Sequence, residues 1–123
     1  MKLIMLAAAG GGIGAAARLL VNQAFAGAAF PWATLAVNIV GSFLMGMTVV
    51  FVTERFGGSA EMRTFLATGI LGGFTTFSAF SFDVVELMAK EGPLMTGLYI
   101  GGSVVGAIAA IVVGLSVARA MFA

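Results

Sequence analysis

Asp83 and Glu86 are three residues apart, a spacing that sets two carboxylates on one face of a helix and that acid–base chemistry can use. Glu86 also precedes Lys90 by four residues, a favourable helical ion pair, and the apolar run ends just beyond it. Glu86 therefore reads as a solvated helix end. Asp83 lies deeper, and an acid at that depth of an apolar segment is a candidate for function. The chain has no Cys and no His. That excludes thiolate nucleophiles, disulfides, zinc fingers and haem attachment, and it removes the usual general base near neutral pH. With neither a nucleophile–base pair nor a metal cluster, an enzyme is not expected. Gly12-Ile13-Gly14-Ala15-Ala16-Ala17 matches the G-x-G-x-x-A dinucleotide pattern. No acid follows around Trp32 to Ala36 to hold a ribose, and the host segment is a long apolar helix, so a cofactor is not expected there.

The densest information lies in Gly72-Gly73-Phe74-Thr75-Thr76-Phe77-Ser78-Ala79-Phe80-Ser81-Phe82-Asp83. Two adjacent glycines followed by two threonines are poor helix formers. Within a membrane, irregular backbone survives only where protein buries it or where it lines a cavity. A helix broken there exposes carbonyls from one half and N–H groups from the other, and such ends bind ions. A break at Gly72 to Thr76 therefore suggests a backbone ion site at mid-depth. Beyond it, Phe77 and Phe80 share a helical face, and Ser81 is four residues after Phe77. A lipid-facing helix has no need of Thr75, Thr76, Ser78 and Ser81 between those rings. Aromatic edges carry partial positive charge, so ring edges and hydroxyls together can coordinate a small anion and replace part of its water. Asn38 sits among apolar neighbours and suits either a helix–helix hydrogen bond, worth about 1 kcal/mol, or a pore-lining donor. Arg18 either snorkels to the interface or sets a positive potential at a vestibule that gathers anions.

These residues need a membrane around them. Of 123 residues 61% are hydrophobic and 9% charged, against about 25% charged in a soluble domain. So short a soluble chain could not hide that apolar surface. The net charge of +1 leaves no basic footprint for nucleic acid. Met1-Lys2 and the apolar run behind them imitate a signal peptide, but the run continues past Arg18 and further spans follow. A span needs about 20 apolar residues. Four stretches qualify within a single transmembrane domain: about 3–24, 33–52, 62–88 and 94–117. Pro31 suits the first turn of a helix and Trp32 the interfacial aromatic belt. Glu54 to Ser59 and Lys90 to Pro93 are polar turns. Both termini fall on one side together with Lys2, Arg55, Arg63 and Arg119, a mild bias toward cytoplasmic termini that also suits a chain inserting both ways. Gly102, Gly106, Ala110 and Gly114, and likewise Gly10 and Gly14, recur at four-residue spacing and let helices approach closely.

Residues 72 to 81 closely resemble the signature of the Fluc (CrcB) family of fluoride channels. Asn38, Gly14-Ala15-Ala16-Ala17-Arg18 and Gly101-Gly102-Ser103 stand where that family has related features, and the likeness covers essentially the whole chain. The resemblance implies an all-α membrane protein of four transmembrane helices, the third broken mid-span. It implies an antiparallel, dual-topology homodimer in the bacterial inner membrane with two fluoride pathways. A structural sodium ion at the dimer centre would be held by backbone carbonyls of Gly72 and Thr75. Phe77 and Phe80 would be the pore phenylalanines, and Asn38 would donate to fluoride. Thr76 and Ser81 would belong to the polar track, which Ser103, with Tyr99 one turn earlier, would complete. Arg18 would sit near the aqueous entrance. The implied function is passive export of cytoplasmic fluoride, which relieves its toxicity.

Two positions depart from the family pattern: Asp83 stands where many relatives have the longer Glu, and Ala79 where Thr is commoner. Among other readings, a small proton-coupled multidrug transporter would need an acid in its first span, and residues 3 to 24 contain none. A non-transporting assembly subunit would leave the polar track and the broken helix without a purpose.

Overall fold

Hydrocarbon offers no water to backbone N–H and C=O groups, so a chain this apolar must pair them within its own spans. The computed structural model, which describes residues 1–123, is accordingly helical throughout. Helix α1 is Lys2–Ala24 and α2 is Trp32–Phe56. The third span, Ala60–Glu91, is made of α3 (Ala60–Arg63), a π-helical segment (Thr64–Leu71), α4 (Gly72–Phe74) and α5 (Phe77–Glu91), and α6 is Pro93–Phe122. All four spans are long and apolar enough to cross a membrane. The second and fourth continue past the apolar runs of the sequence, over Thr53–Phe56 and Ala118–Phe122, because polar residues at an interface still close helical hydrogen bonds.

The connections are short. Gly57 ends α2 in the left-handed conformation, with φ 59°, and the Gly58 N–H donates to the Val52 carbonyl at 3.0 Å. Gly92 joins α5 to α6 alone, at φ 85° and ψ −172°, a region open essentially only to glycine. Pro93 then starts α6 where a missing N–H costs nothing.

Packing runs through backbone rather than through large side chains. The first span lies on the third, and α2 lies on α6. A Cβ at Gly10 would stand 2.5 Å from the Phe65 carbonyl oxygen and 2.9 Å from Gly69 Cα, and one at Gly14 would strike the Ile70 carbonyl. On the other pair, a Cβ at Gly46 would stand 2.5 Å from the Ile111 carbonyl oxygen, and Gly114 abuts the Phe43 carbonyl. The small-residue stripe of the fourth helix is thus used unevenly: Gly106 meets Ile39 and Gly114 meets Phe43, while nothing lies within 4 Å of Gly102. Only 16 of 123 residues are buried, and Leu94 is 77% exposed, an outer surface that suits hydrocarbon rather than water. The fully enclosed side chains include Val37 and Tyr99.

The break in the third span is narrower than residues 72–76. Gly72 keeps helical angles (φ −63°, ψ −36°), and only Thr75 and Thr76 are extended. Gly73 serves contact instead: a Cβ there would strike the Gly11 carbonyl, whereas one at Gly72 would meet only the Ala67 carbonyl oxygen at an ordinary 3.5 Å. The π-helical segment was not foreseen. It holds Gly69 and Ile70, the residues that meet Gly10 and Gly14.

Gly10→Ala should therefore destabilise the folded protein by about 1–3 kcal/mol, since the added methyl meets backbone that has no rotamer to change. Gly12→Ala, which meets nothing within 4 Å, should be neutral or slightly stabilising. Thermal unfolding of the two variants in one detergent checks the contrast.

Candidate functional site

Two extended residues inside a membrane span release backbone groups that the rest of the fold must answer. The Thr75 N–H still reaches the Leu71 carbonyl at 3.0 Å, and the Thr75 hydroxyl donates to the same oxygen at 2.9 Å. From Thr76 onward the helical pattern fails. The Thr76 N–H donates to Asn38 Oδ1 at 2.8 Å, and Asn38 Nδ2 donates to the Thr76 carbonyl at 3.0 Å. One side-chain amide on α2 thereby replaces both backbone partners of Thr76. Arg18 Nε on α1 donates to the Gly73 carbonyl at 3.0 Å. The Thr76 hydroxyl starts the next helix by accepting from the Ala79 N–H at 3.1 Å. The Thr75 carbonyl accepts no hydrogen bond within the chain, and with Thr75 and Thr76 extended the carbonyls of Gly72 and Phe74 and the N–H groups of Phe77 and Ser78 lose their helical partners across the break. Carbonyl oxygens free on one side of a break and N–H groups free on the other are the two kinds of end that hold cations and anions in membranes.

Beside the break lies a groove of about 360 Å³. Asn38, Ser42, Thr75, Thr76 and Ser103 supply its polar wall, Phe77 and Phe80 its aromatic wall, and Met45 of α2 with aliphatic residues of α6 most of the remainder. No Lys, Arg, Asp or Glu lines it. Gly41 also lines it, and the Thr75 side chain occupies the place of its missing Cβ, which brings the break against α2. Asn38 keeps one N–H beyond the bond to Thr76. The Ser103 hydroxyl is buried with no hydrogen-bond partner, a condition that costs about 1–3 kcal/mol unless something occupies the position. The Phe77 and Phe80 rings stand 5.6 Å apart at 42°, and Phe77 is 77% exposed.

The groove gathers Asn38, Thr75, Thr76, Phe77, Phe80 and Ser103. Ser81 does not line it, and its exposed hydroxyl returns to the Phe77 carbonyl at 3.0 Å. Tyr99 stands behind the groove: its ring is 5.2 Å from Phe80, and its hydroxyl donates to Asp83 Oδ2 at 3.0 Å. Asp83 in turn lines a second cavity of about 160 Å³ with Glu86, Lys90 and the loop at residues 28–31. Tyr99 thus touches one wall residue of each cavity. Lys90 Nζ lies 4.0 Å from Glu86 Oε1, the helix-end pair expected from their spacing. Arg18 Nε reaches the break itself, at the Gly73 carbonyl. Sequence reasoning did not single out Ser42, although it is one helical turn from Asn38. It also missed the Asp83–Tyr99 bond, which no local pattern announces because the partners are 16 residues apart.

Hydroxyls, an amide and ring edges, with no full charge, can hold an anion loosely enough to release it. The free carbonyls nearby can hold a hard cation. Residues 5–115 match the family described as CrcB-like protein, Camphor Resistance (CrcB). The chain is 51% identical over 122 residues to a protein of Agrobacterium fabrum (strain C58) called fluoride-specific ion channel FluC, covering 97% of this chain and 98% of that one. A protein of the same description from Rhizobium meliloti (strain 1021) is 49% identical over 125 residues, covering 98% of this chain and 99% of its own. One from Mesorhizobium japonicum is 48% identical over 121 residues, covering 96% and 97% respectively.

Asn38→Ala deletes both bonds to Thr76 and leaves its N–H and C=O unanswered, at about 1–3 kcal/mol for each orphaned group. Amide exchange over residues 72–80 should quicken by about tenfold or more, with α6 unchanged. Hydrogen–deuterium exchange resolved by peptide reads the difference.

Proposed function

The chain belongs to the CrcB-like family, and from that premise we propose that it is a passive, fluoride-selective ion channel. Its four apolar spans make it a multi-pass protein of the bacterial membrane, and it is not an enzyme. One observation carries the reading: a groove beside a broken span that offers the Asn38 amide, the unpartnered Ser103 hydroxyl and the Phe77 and Phe80 rings, and no fixed charge. Fluoride is small and strongly hydrated, so its path must replace water with many donors. A Lys or Arg in that path would trap it, because conduction needs sites weak enough to leave. Ring edges add partial positive charge without that penalty. Tyr99 carries the polar track past Phe80 to Asp83, and on this reading Thr76 and Ser81 belong to the same track.

The functional unit on this reading is an antiparallel, dual-topology homodimer. The exposed Phe77 and the open side of the groove favour a second copy as the missing wall. The carbonyls of Gly72 and Thr75 at the break suit a hard cation, and sodium at the dimer centre would satisfy oxygens that the hydrocarbon cannot. Hydrogen fluoride enters cells from acidic surroundings and dissociates inside, so a passive exit path lowers cytoplasmic fluoride.

Liposomes carrying the protein should release fluoride rapidly and chloride hardly at all, as followed with ion-selective electrodes. Phe80→Ile should lower the fluoride rate by about tenfold or more, with the elution volume on size exclusion unchanged. No release of either ion from folded wild-type protein would sink the channel reading. Purification with N-methylglucamine in place of sodium should weaken the dimer in dilution experiments, and identical dissociation in both media would remove the central cation.

A further inference from the structure

Building on the channel reading, we propose that Arg18 is a positioning residue that holds the third span open at its break, through the hydrogen bond from Nε to the Gly73 carbonyl rather than through its charge. In an unbroken α-helix the Gly72 carbonyl would accept from the Thr76 N–H, and the Gly73 carbonyl from the Phe77 N–H. Each of these two bonds is intercepted by a side chain from another helix. Asn38 on α2 takes the Thr76 N–H at 2.8 Å. Arg18 on α1 takes the Gly73 carbonyl at 3.0 Å. With both intercepted, Thr75 and Thr76 stay extended and present their side chains to the groove.

Without a donor at Gly73, that oxygen has one good partner within the chain, the Phe77 N–H four residues on, which the break deprives of its helical partner. Closing that bond heals the helix, and it turns the Phe77 and Phe80 rings with the backbone that carries them. The site is built for close approach. A Cβ at Gly73 would strike the Gly11 carbonyl and stand 3.1 Å from the Ala15 N, so α1 delivers the guanidinium side chain from directly alongside. The donating atom also separates this role from a vestibule charge. Nε lies three bonds beyond Cβ, and the amide nitrogen of Gln lies at the same bond count. Gln can therefore reproduce the donor without the charge, Lys keeps the charge on a longer stem, and Met keeps the length with neither.

Fluoride efflux from liposomes should rank Arg18→Gln near wild type, within about threefold, and Arg18→Lys and Arg18→Met lower by about tenfold or more. The rank should persist at high ionic strength, where a vestibule charge is screened. Lys matching or exceeding Gln would overturn the proposal, and so would wild-type rates in all three variants. Should Arg18→Met fail to assemble, the order of Gln and Lys decides alone. A second measurement does not depend on transport. Gly73-Phe74 is the one Gly-Phe pair in the chain, so carbonyl-labelled glycine with amide-labelled phenylalanine gives a single correlated resonance for the Gly73 carbonyl. Its shift should be nearly the same in wild type and Arg18→Gln and displaced in Arg18→Lys. An undisplaced resonance in Arg18→Lys would refute the clasp even if the wild type conducted nothing, which keeps failure of the clasp separate from failure of the channel reading.

Discussion

The broken third span answers one constraint: a peptide group in hydrocarbon has no water to bond. An interrupted span must therefore import its partners or leave groups that something else fills. Both occur here within a few residues. Asn38 and Arg18 bring donors and an acceptor from neighbouring helices to Thr76 and Gly73, whereas the carbonyls of Gly72, Phe74 and Thr75 and the N–H groups of Phe77 and Ser78 lose their helical partners across the break. The division is what separates scaffold from site. Groups paired by side chains fix the shape of the break, and groups left open beside a polar groove are free to meet ions.

Importing partners requires helices close enough to reach, and that explains the glycines. Gly10 and Gly14 allow α1 to lie on the backbone of the third span, which places Arg18, one turn after Gly14, within reach of Gly73. Gly41 accommodates the Thr75 side chain one turn from Asn38. In each case a missing Cβ sits about one helical turn from the polar side chain that clasps the break. The pairing of α2 with α6 through Gly46 and Gly114 then brings Ser103 to the other side of the groove and Tyr99 behind it. Close packing by small residues, which in lipid replaces a hydrophobic driving force, here also decides which polar groups meet.

Much of this was legible in the residues themselves. Sixty-one per cent hydrophobic residues and 9% charged leave few architectures open, and four apolar runs divided by Glu54–Ser59 and Lys90–Pro93 place the spans. The Gly-Gly-Phe-Thr-Thr run located the interruption to within a few residues, because threonine and glycine are weak helix formers. It could not say that glycine would stay helical and threonine would not. That choice depends on Gly11 and Asn38, which are more than thirty positions away in sequence. For the same reason Arg18 was legible as an embedded cation but not as a donor to Gly73, which is 55 residues distant. The π-helical turns at Thr64–Leu71 carry no compositional mark. Single residues announced their chemistry, and only packing announced their partners.

The order of the clasping residues along the chain has a consequence for synthesis. Arg18 and Asn38 both precede the segment they hold, so synthesis presents their spans to the membrane ahead of residues 72–80. The third span is the least hydrophobic of the four, at a mean hydropathy of 1.4 over its most apolar window, against 1.7, 2.1 and 2.2 for the others. The least hydrophobic span of the molecule therefore follows both of its backbone partners in the order of synthesis. A circular permutation that moved either of the first two helices behind the third would leave every native contact available, yet it would reverse that sequence of events.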